Sequence, residues 1–200
     1  VLAAVRRAAL RGVRVRLLMD AKFFEKYPEP AGSLDLWPCI EVRRLDLRSR
    51  GGVMHAKYFV IDGREVFLGS QNWDWRSLEH IHELGLRARA PELAAVFSRL
   101  FARDWAVAGG EPVTPASGTP APERPYVQPV VPETRLEAAA SPPDDLPPGV
   151  PWDLPMLVRL IDGAARTLDL ELLSYRTKTA DGGRWTVLDD ALRRVAVRGV

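Results

Sequence analysis

His55-Ala56-Lys57-Tyr58-Phe59-Val60-Ile61-Asp62, followed after six residues by Gly69-Ser70-Gln71-Asn72, concentrates phosphate-handling side chains at fixed spacing. His55 and Lys57 stand two apart in an apolar, β-prone run that includes Val53, Tyr58, Phe59, Val60 and Ile61, so on a strand they share one face. That face carries an imidazole, able to act as nucleophile or proton carrier near neutrality. Beside it is an ammonium that holds a phosphate as a point charge. Asp62-Gly63-Arg64 reads as a hairpin turn into a second short strand, Glu65 to Leu68. Gly69, Ser70 and Asn72 fall where that strand ends, where backbone approach is easy and a hydroxyl and an amide can donate to phosphate oxygens. The stretch points to a phosphodiester substrate.

The spacing H-x-K-x4-D-x6-G-S-x-N resembles the HKD signature of the phospholipase D superfamily. The resemblance implies a metal-free mechanism without other cofactors. The histidine of one motif attacks phosphorus to give a phosphohistidine, and the histidine of a second motif protonates the leaving group. Water or an alcohol then resolves the intermediate. On this sequence the resemblance makes His55 nucleophile or general acid and gives Lys57 and Asn72 the non-bridging oxygens. It places Gly69 and Ser70 at the edge of the site and Asp62 in the motif's aspartate position, more as support than as a reacting group. Glu83 occupies the place of a carboxylate that hydrogen-bonds the histidine, fixing its tautomer and orientation.

Other uses of these residues have less behind them. His80-Ile81-His82-Glu83 places alternate side chains on one strand face, as a metal site would, but the chain has only three histidines and Glu83 already has an expected partner. Trp73 and Trp75 line an acyl or base pocket in one reading, with Trp73 the candidate substrate contact, and simply pack in the other.

An internal repeat bears on organisation. At an offset of 187 residues, Ala4, Arg6, Arg7, Ala9, Arg11, Gly12 and Val13 match Ala191, Arg193, Arg194, Ala196, Arg198, Gly199 and Val200. The first copy continues into a strand, Val13 to Met19, and the second reaches Val200. The expectation is a chain cut at equivalent points of two tandem repeats, holding most of the first and the start of the second. Residues 1–108 are then the C-terminal part of repeat one with the motif, 109–150 a linker, and 151–200 the N-terminal part of repeat two. The same offset places a second motif histidine near position 242, so the chain supplies half a site unless a dimer partner completes it.

Composition sets loose bounds. Of 200 residues 46% are hydrophobic, enough for one or two cores, and the net charge of +2 carries no global polyanion signal. The first fifty residues are locally basic, with Arg6, Arg7, Arg11, Arg14, Arg16, Arg43, Arg44, Arg48 and Arg50, read either as a solvated face or as an anion funnel. Cys39 is alone, which excludes an intrachain disulfide. Thirteen of the 17 prolines lie between 112 and 155, a density that favours an extended linker over helix or central strand.

Periodicity and caps predict a helix over 1–11 ended by Gly12, strands over 13–19 and 40–45, and a loop through Lys22 to Pro30. They further predict the motif hairpin, a helical turn over 75–80, a strand over 83–89, and a helix from Pro91 closed by Gly109-Gly110. Beyond the linker come a helix over 154–165, a strand over 167–173, a turn at Asp181-Gly182-Gly183 and a helix over 186–197. The expected fold is α/β, a phospholipase D-like mixed β-sheet flanked by helices on both faces.

The Trp73-Asp74-Trp75-Arg76 segment resembles bacterial members described as phospholipases or phosphatidyltransferases of cardiolipin synthase type. The function expected is a phospholipase D-like phosphodiesterase or phosphatidyltransferase acting on a phospholipid at a membrane surface. A nuclease of the same superfamily is the first alternative, and an inactive module binding anionic lipid or nucleic acid is the second.

Overall fold

The computed structural model describes residues 2–112, 127–131 and 134–200, and for residues 127–131, 134 and 135 it describes the backbone alone. The chain separates into two compact units, one built on residues 2–112 with the hairpin 127–137, the other on residues 138–200. Among the described residues no helix is long and apolar enough to cross a membrane.

The first unit begins with helix α1 (Leu2–Leu10), whose apolar side at Leu2, Val5 and Ala9 packs onto strand β1 (Val15–Asp20). Gly12, at φ 85, ends the helix in the left-handed region that glycine adopts without steric cost, and its N–H reaches the Ala9 carbonyl at 2.8 Å. Two short helices follow, α2 (Ala21–Lys26) and α3 (Ala31–Leu34). The sequence reads here as a loop, because prolines 28 and 30 interrupt any long period. Helix α2 forms nonetheless because Asp20 caps it, accepting from Phe23 N at 3.1 Å. Strand β2 (Ile40–Leu45) pairs parallel to β1, Val15 with Ile40 through Asp20 with Leu45.

Alternation along this pair buries two faces. Val15, Leu17, Ile40 and Val42 meet α1 and α3 in one cluster with Leu34 and Trp37. The other face carries Arg16 and Arg43. Arg16 lies over Phe101 and Trp105 at 4.9 and 5.4 Å, while Arg43 lies over Trp105 at 4.5 Å and donates to its carbonyl at 2.9 Å.

After a single turn at Arg48–Arg50, β3 (Tyr58–Ile61), β4 (Glu65–Gly69), the short helix α4 (Trp75–Glu79) and β5 (Gly85–Arg89) follow. The three strands form an antiparallel sheet in the order β3-β4-β5. Helix α5 (Pro91–Ala108) has proline in its first turn and Gly109 as its cap, as the sequence predicts. It packs against β2, β3 and β4, and so spans both sheets. Its Leu93, Ala94 and Val96 are buried with Val66 of β4, and Phe97 meets Tyr58 at 5.1 Å. Each buried leucine or valine of this kind stabilises the unit by about 1.5–3 kcal/mol. The first unit is therefore an α/β structure with parallel and antiparallel pairing and helices on both faces of its parallel pair. The strands are hydrogen-bonded as two sheets rather than one.

Residues 113–126 and 132–133 of the expected linker lie outside the described residues. Within its remainder, β6 (Val127–Val131) and β7 (Thr134–Glu137) pair antiparallel, with a register shift between Pro129 and Val131. Both strands are edges, where proline is tolerated.

In the second unit, α6 (Asp153–Asp162) and α7 (Val187–Val197) pack through Ile161, Ala191 and Val195. Arg194 pairs with Asp162 at 2.8 Å and Arg198 donates to the Asp162 carbonyl at 2.7 Å, fixing the two helices together. Helix α7 ends as α1 does, on a left-handed glycine, Gly199 at φ 81. The alternating run 167–173, expected as a strand, is unpaired. A strand needs a neighbouring backbone, and Leu170, Leu172 and Leu173 stand exposed.

Candidate active site

The site grows from the end of the β3–β4 hairpin. Strand β3 begins at Tyr58, so His55 and Lys57 precede it rather than lie within it as expected. The hydrogen-bond ladder still reaches Lys57, whose carbonyl accepts from Gly69 N at 3.0 Å. Phe59 faces Phe67 across the hairpin, and Lys57 is the last residue before β3 that the ladder holds. The side chains of His55 and Lys57 meet, with Lys57 Nζ 2.9 Å from His55 Nε2. An ammonium only donates, so with Lys57 charged Nε2 is the acceptor and the ring proton is assigned to Nδ1. Burial lowers the Lys57 pKa, and the charge of Glu83 pulls it partly back up.

Ser70 and Glu83 form the second part. The Ser70 hydroxyl donates to Glu83 Oε2 at 2.5 Å and accepts from Leu84 N at 3.0 Å, and Ser70 N donates to the Leu84 carbonyl at 3.0 Å. Gly69 permits this closeness, because a Cβ there would sit 2.7 Å from the Leu84 carbonyl oxygen. Glu83 thus takes its hydrogen bond from Ser70, not from His55 as expected. It acts on the cationic end of the site through its charge on Lys57. The physical reason is reach: Ser70 and Leu84 are bonded neighbours across the turn, which draws the half-buried carboxylate to that side.

Asn72 and Trp73 follow on the exposed segment after β4, and Trp73 stands edge-on to Phe59 at 5.5 Å. Asp62 stands apart from this group, in the hairpin turn where the sequence puts it and in keeping with support more than chemistry. It occupies the β3–β4 turn with φ 52 beside Gly63 at φ 64. It lies at the far end of β3 from His55, seven residues along at about 3.3 Å each. Its short polar side chain suits the left-handed turn, which accounts for aspartate there without chemistry. His80 packs edge-on against Trp75 at 5.1 Å. Among the described residues no three His, Cys, Asp or Glu side chains gather as a metal ion would require.

Several of the local arginines are occupied. Arg6 lies over Trp37, Arg44 over Phe24, and Arg48 pairs with Asp46 and Glu25. With Arg16 and Arg43 on the rings of α5, at least five of the nine arginines of the basic segment serve packing and pairing, against the funnel reading.

Two residues near the site were not singled out from the sequence. Gln71 tucks against Gly69 and Gly85, with its Oε1 buried and unpaired. Asp20, 6% exposed, accepts from Met54 N at 2.8 Å, one residue before His55. The contact of Asp20 with a residue 34 positions away has no local signature in the sequence.

A family model described as "Cardiolipin synthase, PLD-like domain" matches residues 1–105. The bovine protein named 5'-3' exonuclease PLD3 is 30% identical over 219 aligned positions, covering 100% of this chain and 43% of its own length. The mouse 5'-3' exonuclease PLD4 is 30% identical over 170, covering 78% of this chain and 34% of its own length. The chain thus spans less than half the length of these relatives. Among solved structures, NucT from Helicobacter pylori is 26% identical, with a TM-score of 0.47, over 52% of this chain and 69% of its own. With the family model covering the hairpin that carries His55 and Lys57, the chain belongs to the phospholipase D superfamily, in the family of the cardiolipin synthase PLD-like domain.

Proposed function

We propose that this chain is part of a phosphodiesterase that cleaves nucleic acid through a covalent phosphohistidine, with His55 as one of two reacting histidines. The observation that carries the chemistry is the contact of Lys57 Nζ with His55 Nε2 at 2.9 Å. It holds the lone pair of one imidazole nitrogen beside a cation that a non-bridging phosphate oxygen can take over. As nucleophile, His55 Nε2 forms a bond to phosphorus while the bond to the leaving oxygen breaks. That oxygen takes its proton from the second histidine. Water then attacks phosphorus, giving its proton to the second imidazole, and the bond to His55 breaks. With the roles exchanged, His55 supplies the proton. Asn72 and Lys57 hold the non-bridging oxygens. Ser70 and Glu83 set the charge beside Lys57. The second histidine comes from a later repeat near position 242, or from a second copy of the chain.

Nucleic acid leads over phospholipid because the bovine and mouse relatives, each 30% identical to this chain, are named exonucleases. Trp73 suits it, exposed by 44% beside the motif and offering a ring face for a base. A phospholipid is the second reading, favoured by the family model's description and by exposed Trp75, Leu78, Ile81 and Leu84 near the site. The test is the full-length protein assayed without added metal on labelled single-stranded DNA and on vesicles containing an anionic phospholipid. Release of nucleotides with intact lipid is the expected result. Release of lipid headgroup with intact DNA overturns the nucleic-acid reading, and turnover of neither overturns both.

A further inference from the structure

Asp20 stands where two segments are joined. It closes β1 opposite Leu45 and is 6% exposed. Its two oxygens have separate duties: Oδ1 accepts from Phe23 N at 3.1 Å in the first turn of α2, and Oδ2 accepts from Met54 N at 2.8 Å. A carboxylate is costly to bury unless its oxygens are bonded, and each bond here is strengthened by the charge. Among the described residues, the backbone of 53–56 makes no hydrogen bond other than Met54 to Asp20. The segment carrying His55 is neither helix nor strand, and Gly52, Val53, His55 and Ala56 are exposed. The preceding loop is drawn to the same helix, since Arg48 bonds Glu25 of α2 at 3.0 Å as well as Asp46.

We propose that Asp20 is a positioning residue for His55. Through Met54 N it sets the distance of the imidazole from Lys57 and from the phosphorus both would serve. Among the described residues the bond from Met54 N is the one backbone hydrogen bond of the segment before the ladder begins at Lys57, and the side-chain contact of His55 with Lys57 is made from that placement. The inference rests on the phosphodiesterase reading for its catalytic consequence, because a displacement of about 1 Å at a reacting group costs on the order of 100-fold in rate. It concerns placement rather than binding, so the loss falls on kcat and not on KM.

The test uses Asp20→Asn in the full-length protein. The amide keeps one acceptor for Phe23 N, so α2 stays capped. It turns an NH2 toward the Met54 N–H, where two donors face each other and the tether is lost. The expected result is a kcat about 100-fold lower with KM changed by less than about threefold. A kcat within about threefold of wild type, or a loss seen wholly in KM, overturns the proposal. Hydrogen exchange at the Met54 amide of the wild type, read by NMR, tests the tether should the variant not fold. Slow exchange is expected, and exchange at the rate of a free loop overturns the proposal. Failure of the functional reading is seen separately, as a wild-type protein that turns over no phosphodiester while its Met54 amide stays protected. That outcome removes the catalytic consequence and leaves the tether.

Discussion

Burial lowers the pKa of Lys57, while the carboxylate of Glu83 raises it. A lysine that holds phosphate must be protonated, so activity is present below its folded pKa and is lost as pH rises through it. The alkaline limb of kcat/KM is therefore expected below the 10.5 of a free lysine. Glu83→Gln removes the raising influence and should move that limb further down. A limb at or above the ordinary lysine value, or one unmoved by the substitution, contradicts this assignment. The pattern from His55 to Asn72 was legible in the sequence because the motif names residue types at fixed spacing. What each carboxylate touches was not, because contact is set by which turns approach. Glu83 went to Ser70, whereas Asp62 stands in the hairpin turn that Asp62-Gly63-Arg64 already marks in the sequence.

At the scale of elements, the β4 end and residue 84 are held together by the bareness of Gly69. Gly69→Ala puts a Cβ 2.7 Å from the Leu84 carbonyl oxygen, a backbone atom that cannot swing aside. A destabilisation of about 1–3 kcal/mol is expected, read as a lower Tm, together with loss of the Ser70 to Glu83 bond. An unchanged Tm contradicts the close approach. In the second unit Ala191 is fully buried between α6 and α7. Ala191→Leu should cost a similar 1–3 kcal/mol or so by overpacking, measured by denaturant unfolding.

Helices α1, α5, α6 and α7 and the motif hairpin were readable because their apolar period, prolines and terminal glycines act locally. Helices α2 and α3 fell within or beside the segment read as a loop because six and four residues are too short to show a helical period. The run 167–173 misled for the opposite reason. Its alternation is real, but alternation supplies only one side of a pairing, and the partner is not in the local sequence.

For the whole molecule, the proposed function makes this motif one half of the chemistry. Helices α1 and α7 are both followed by a left-handed glycine, Gly12 and Gly199. If the full-length protein acts on nucleic acid, Trp73→Ala should weaken single-stranded DNA binding by about 5- to 100-fold, the loss of one base stack. The affinity should also fall with salt, as contacts between cations and phosphates require. Equal binding by the variant, or affinity indifferent to salt, argues against that substrate.

The central claim is that His55 reacts. The most direct measurement mixes the full-length protein with a labelled phosphodiester, quenches it in alkaline denaturant, and compares wild type with His55→Ala. The account predicts an acid-labile label on the wild type and no turnover in the variant, with the label lost from the variant as well when His55 is the nucleophile, and thermal stability nearly unchanged, since His55 is exposed. Turnover by His55→Ala within about tenfold of the wild type would contradict it, because loss of an essential nucleophile or acid costs far more than that.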